Sequence, residues 1–200
     1  MLIVLNLDVL TVLLVAQVHG GPNFQFTNTN YRNSSRIMLD DRELAAWILE
    51  KLRPYLADIE TEDGEIHQRY SNPTEKSYPP VRLSRLNERL RFLKYGAGQF
   101  FKPHCDGTYN TSDCKEVSYY TLQIYLSGDA KSLKGGATRF WVRDRTKKES
   151  IFVDVESRLG RVLIFEQAGL LHSGEMVSKG EKISMRTDFL YMRDSDVTPI

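Results

Sequence analysis

The chain has 200 residues and is 41% hydrophobic, enough for one domain of about 100 to 200 residues with a full core. Its 27 basic and 26 acidic residues leave a formal charge of +1, which excludes a broad field that would gather nucleic acid or an anionic membrane. The two cysteines, Cys105 and Cys114, are too few for a disulfide framework and are read as free thiols.

In chain order, the first element is an apolar leader, MLIVLNLDVLTVLLVAQV, which holds Asn6 and Asp8 and has no Lys or Arg before its apolar run. Three readings stand for residues 1–23: a cleaved secretory signal, a disordered leader, or an edge strand and helix of the domain itself. The acceptor triplets Asn33-Ser34-Ser35 and Asn110-Thr111-Ser112 suit secretion, whereas the missing cationic start favours the cytoplasm. The run is too short and interrupted for a stable membrane span. The breaker cluster Gly20-Gly21-Pro22-Asn23 closes it, and residues 24–200 form the expected folded domain. Residues 24–38 suit an early strand or loop. Asp40-Asp41 then caps a helix whose apolar positions Leu44, Trp47, Ile48, Leu52, Tyr55 and Leu56 recur at three- and four-residue steps, with Pro54 disturbing its last turns. Residues 60–80, rich in charge with Gly64, Pro73, Pro79 and Pro80, read as a long loop, either a lid or a surface insertion.

Beyond Val81, short runs of β-branched, aromatic and aliphatic residues follow at 86–95, 119–126, 138–142, 151–155, 161–165 and 182–192. Many strands without intervening helices imply a mainly β fold with flanking helices, a sandwich or a barrel. In a strand, residues i and i+2 point the same way. His104 and Asp106 can therefore grip one ion while Cys105 faces away, and a distant His172 can complete a two-histidine, one-carboxylate triad suited to Fe(II) with positions left open. On the last strand Lys182, Ser184, Arg186 and Asp188 share one face, and Ile183, Met185, Thr187 and Phe189 share the other. Thr121 likewise shares a face with Tyr125.

The stretch RFLKYGAGQFFKPHCD, residues 91–106, resembles the prolyl 4-hydroxylase-like Fe(II)/2-oxoglutarate-dependent dioxygenases, whose pattern is a Tyr-Gly-x-Gly turn and then Pro-His-x-Asp. Tyr125-Leu126-Ser127 stands for that family's Tyr-Leu-Asn, and Gly135-Gly136-Ala137-Thr138-Arg139-Phe140 matches its Gly-Gly-x-Thr-x-Phe. His172 stands at the family's distal histidine. The resemblance implies a double-stranded β-helix, or jelly-roll, core. It implies Fe(II) held by His104, Asp106 and His172, with 2-oxoglutarate and O2 as co-substrates and ascorbate as reductant. Lys182, ten residues after His172, takes the place of the anchor for the far carboxylate of 2-oxoglutarate. Arg186 is the alternate anchor, since its planar fork matches a carboxylate. Tyr95 and Tyr125 stand where relatives place hydroxyls near 2-oxoglutarate, and Phe101 replaces a tyrosine usual in the family.

The expected reaction is hydroxylation of a substrate C–H bond with release of succinate and CO2, peptidyl proline being a candidate among protein, peptide and small-molecule substrates. Two other readings stay open: a non-catalytic jelly-roll that binds a metal or ligand as a sensor, and a zinc hydrolase. The hydrolase lacks an evident general base and has no use for Lys182.

Overall fold

A computed structural model describes residues 2–6, 30–62, 80–129, 131–143 and 150–193. In chain order these form β1 (Leu2–Asn6), β2 (Arg32–Asn33), β3 (Ser35–Asp40), the helix α1 (Arg42–Leu52), two short 3-10 turns (Arg53–Tyr55 and Ala57–Ile59) and β4 (Thr61–Glu62). Then come β5 (Val81–Leu86), β6 (Arg89–Tyr95), β7 (Phe100–His104), β8 (Glu116–Tyr125), β9 (Lys134–Gly135) and β10 (Thr138–Arg143). The last are β11 (Ser150–Val155), β12 (Arg161–Glu166), β13 (His172–Gly174), β14 (Val177–Lys179) and β15 (Lys182–Arg193). Most of the leader, and most of the 60–80 segment expected as a loop, lie outside the described residues. Within the leader, Leu2–Asn6 pairs antiparallel with β12. Among the described residues no helix is long and apolar enough to cross a membrane.

The helix forms where its periodicity places it. The Asp41 side chain accepts the Leu44 N–H at 2.9 Å, satisfying one of the orphan donors of the first turn. Pro54, which cannot continue the ladder, sits in the 3-10 turn that ends it. Tyr55, expected on the apolar face, is instead exposed because the helix has already stopped at Leu52.

An eight-stranded sheet runs β1-β12-β8-β15-β5-β4, with β6 also paired to β15 and β3 paired to β6; a five-stranded sheet runs β11-β10-β13-β7-β2. Period-two alternation gives the large sheet two different faces. Phe92, Leu122, Ile124, Ile164, Met185, Phe189 and Tyr191 pack with Ile48, Leu49 and Leu52 of α1 in the main core. The other face meets the small sheet, where Tyr125, Leu163 and Phe165 pack with Phe140 and Val155.

The expected closed jelly-roll is corrected by this topology. The fold is mainly β with a flanking helix, but the large sheet ends at β1 and β4, the small one at β11 and β2, and no ladder among the described residues joins them. The physical reason lies in β15. Its first residues pair with β6 and its last with β5, with a register shift between Leu190 and Tyr191. One long strand thus splits the sheet into two branches instead of rolling it shut.

Asp41→Ala should cost about 1 kcal/mol of unfolding free energy, read as a lower urea midpoint with an unchanged denaturant slope.

Candidate metal centre

The centre lies where the inner faces of the two sheets meet. His104 ends β7 and His172 opens β13, and the two are directly paired across that antiparallel ladder. Asp106 follows two residues after His104, beyond the strand end, and is buried while Cys105 between them is exposed. The sideways alternation expected of a strand therefore persists past its last ladder bond. One ligand atom from each of His104, Asp106 and His172 lies within 4.8 Å of the others. Cys114 is likewise free and exposed.

Each histidine is oriented by its own backbone. His104 Nδ1 lies 2.8 Å from the Lys102 carbonyl, and His172 Nδ1 lies 3.0 Å from the Leu170 carbonyl. A carbonyl only accepts, so both Nδ1 atoms carry the proton and both Nε2 lone pairs face inward. Burial lowers both imidazole pKa values, that of His104 to about 4 with His172 as the next cause. Both rings are therefore neutral at neutral pH, as metal ligation requires. Phe101, expected to replace a tyrosine, stacks on His104 with centroids 3.7 Å apart and offers a ring without a hydroxyl.

Asp106 is held from the large sheet. Its Oδ2 accepts the Thr121 hydroxyl at 2.7 Å, and its Oδ1 lies 2.8 Å from Arg186 Nη1. Burial alone would raise this carboxyl, but Arg186, His172 and the Thr121 hydroxyl outweigh it and hold it below the usual carboxylate range. The Oδ1 atom also faces both rings, 3.6 Å from His104 Nε2 and 3.7 Å from His172 Nε2. Two neutral imidazoles and one ionised carboxylate converging on one point form a donor set that fits Fe(II).

Beside the triad, Lys182 starts β15 and is almost fully buried. Its nitrogen is 3.5 Å from Thr138 Oγ1 and lies over the rings of Tyr95 and Tyr125, 5.5 and 5.3 Å from their centroids. No carboxylate among the described residues stands within ion-pair distance of it, and burial pushes its pKa down to about 7. Gly136 makes room for the lysine stem: at φ +73, a Cβ there would sit 2.9 Å from Val177 Cγ2 and 3.4 Å from Lys182 Cδ. Tyr95, His104, Asp106, His172, Lys182 and Arg186 line one cleft. Tyr125 stands behind it, donating its hydroxyl to Thr138 at 2.6 Å, and burial raises the pKa of both tyrosines.

The two cations are placed differently. Arg186 is turned onto Asp106 and lies 3.7 Å from Asp188, whereas Lys182 faces a pocket of hydroxyls and rings. Sequence reading missed Thr138 as a site residue, although it accepts from both Gln123 and Tyr125. Its position inside the Gly-Gly-x-Thr-x-Phe motif was the available signal. It also missed Ser184, whose buried hydroxyl has no partner among the described residues.

A sequence model of the 2OG-Fe(II) oxygenase superfamily matches residues 90–189, a span that contains every triad residue. No curated protein matches the chain. Among solved structures, a Pseudomonas putida prolyl-4-hydroxylase is similar at 15% identity and a TM-score of 0.50, covering 83% of this chain and 74% of that one. A Trichoplax adhaerens prolyl hydroxylase, solved with a hypoxia inducible factor oxygen degradation domain peptide fragment, is similar at 12% identity and a TM-score of 0.54. That match covers 97% of this chain and 84% of the other. At these identities the likeness is one of fold.

Two outcomes are expected. Thr121→Val removes the hydroxyl that fixes Asp106 and should weaken Mn(II) or Fe(II) affinity roughly 10–100-fold with little change in melting temperature, measured by competition with a chelating dye. For the metal-free protein, the His104 pKa is depressed on folding from 6.5 to about 4, so between those values the unfolded chain binds more protons than the folded one. The stabilising contribution is then complete above pH 6.5 and is lost as pH falls toward 4. Denaturant titrations across that window should show the decline, and His104→Asn should make it shallower, the share of His172 remaining.

Proposed function

Since this chain belongs to the 2OG-Fe(II) oxygenase superfamily, we propose that it hydroxylates an unactivated C–H bond of its substrate, with peptidyl proline as the first candidate to test. It is an Fe(II)- and 2-oxoglutarate-dependent dioxygenase. The observation that carries the reading is the juxtaposition of the triad with a buried lysine that forms no ion pair with a carboxylate among the described residues. A buried ammonium is costly unless paired, and a dicarboxylic co-substrate supplies the missing partner.

In this reading His104, Asp106 and His172 hold the iron, and the iron with 2-oxoglutarate and O2 supplies the oxidising power, succinate and CO2 being released. Lys182 takes the far carboxylate of 2-oxoglutarate, with the Thr138 hydroxyl adjacent to it. Tyr95 and Tyr125 wall the site with their ring faces toward the lysine. The alternate anchor, Arg186, is given the task of orienting Asp106, because its Nη1 is already engaged there. Phe140 and Phe165, whose rings lie 5.8 and 4.8 Å from that of His172, keep water from the distal ligand. Ascorbate is the proposed reductant.

Peptidyl proline is supported only by the fold likeness to prolyl hydroxylases, and the cytoplasm remains the proposed location because no Lys or Arg precedes the apolar run of the leader. The test is oxygen-dependent conversion of 2-oxoglutarate to succinate by purified protein with Fe(II) and ascorbate. His104→Ala should abolish it. Lys182→Ala should raise the KM for 2-oxoglutarate about 100-fold or more, with a smaller change in kcat. A Lys182→Ala protein with an unchanged KM would move the anchor elsewhere.

A further inference from the structure

A second cleft opens beside the first. Arg32, Arg36, Arg91, Arg186 and Asp188 line it with Leu93, Phe101, Thr108 and Tyr109, in a volume of about 210 Å³. Arg186, Leu93 and Phe101 line the metal cleft as well, so the two spaces share a wall. The walls of this second cleft carry four arginines against one aspartate.

Strand register produces this concentration of charge. Arg186 of β15 is directly opposite Arg91 of β6, and Arg36 of β3 is directly opposite Leu93, on the same side of β6 as Arg91. Arg32 enters from the small sheet, paired across β2 and β7 with Phe101, and its guanidinium sits 5.3 Å over that ring. Like charges placed opposite one another across a ladder are unfavourable. Arg91 pairs with Asp188 at 2.9 Å and Arg186 with Asp106 at 2.8 Å. Arg32 Nε donates to the Ser34 hydroxyl at 2.9 Å, and its buried Nη2 has no hydrogen-bond partner among the described residues. Arg186 Nε is buried and unpartnered as well. Burial and the charges of Arg32, Arg91 and Arg186 all lower the pKa of Arg36. A fold that tolerates this repulsion next to an oxidising centre gains when an oxyanion is bound, because guanidinium forks match carboxylate and phosphate oxygens.

The geometry points to this cleft as the seat of the prime substrate, and to a substrate that carries an oxyanion, a carboxylate or phosphate group, close to the carbon that is hydroxylated. Arg32, whose buried Nη2 has no hydrogen-bond partner among the described residues, binds the oxyanion, Phe101 and Tyr109 flank the carbon skeleton, and the shared wall delivers the neighbouring C–H bond to the triad. A volume of about 210 Å³ has room for an amino-acid-sized group. The inference rests on the oxygenase reading and narrows it. A free acid, the C-terminal residue of a peptide or a compact phosphate ester satisfies it, whereas an internal proline between neutral neighbours does not.

The test reads binding with turnover blocked. Protein loaded with Mn(II) and saturating 2-oxoglutarate under nitrogen, so that Lys182 is already occupied, is titrated calorimetrically with N-acetylproline, N-acetylproline amide and inorganic phosphate. An oxyanion should bind at least about tenfold more tightly than the amide, the difference made by a charge-assisted fork. Which of the two anions binds identifies the source. In Arg32→Gln the gap should shrink toward unity, with Arg32→Lys, which keeps the charge and loses the fork, intermediate and available should the first variant fail to fold. Acid and amide bound alike, no binding of either anion, or a gap that survives these substitutions would overturn the inference. Succinate formation in air without any probe reads the oxygenase activity separately, so either reading can fail while the other stands.

Discussion

Everything in this molecule turns on how one negative charge is kept ionised between two sheets. Asp106 is contributed by the small sheet but is gripped by Thr121 and Arg186 of the large one. An isolated buried carboxylate would protonate or force the layers apart. With a hydroxyl, a guanidinium and two inward imidazoles around it, the charge becomes the point at which the layers are pinned. The metal ligands are accordingly well ordered by protein contacts: each histidine by a backbone carbonyl, the carboxylate by side chains from another strand.

The inner face of β15 divides its labour by depth. Lys182 lies where hydroxyls and aromatic rings surround it, Arg186 reaches the ligand carboxylate, and Asp188 gathers Arg91 and Gln167. The face behind it is apolar and carries the helix. A single strand thus serves as core on one side and as the floor of the site on the other. For that reason its alternation cannot slip by one residue without exchanging the two roles.

Much of this was legible in the sequence. His-x-Asp spacing implied two ligands on one side, and the alternating polarity of residues 182–189 implied the two faces of the last strand. Asp41 and the three- and four-step apolar pattern located the helix. The arginine cleft was not legible, because Arg32, Arg36, Arg91 and Arg186 are joined only through the registers of three ladders, and register is a long-range property. The break between β5 and β6 was read as a single strand start near Leu86, since Asn87 and Glu88 look like ordinary surface residues. In the structure Asn87 is buried and its carbonyl accepts the Thr187 hydroxyl. The branching of the large sheet escaped for a similar reason: strand composition reports that a segment is extended, not how many partners it serves along its length.

The buried lysine has one more consequence. With a pKa near 7 in the surroundings described, its ammonium is only partly charged at neutral pH. A carboxylate settling beside it restores the full charge by drawing a proton from the solvent. Anion capture by this cleft is therefore also proton capture. The heat released then depends on the ionisation enthalpy of the surrounding buffer, and the affinity weakens as the medium becomes alkaline. With Lys182 as the proposed anchor, that one side chain would link the acidity of the surroundings to the hold on a dicarboxylic acid.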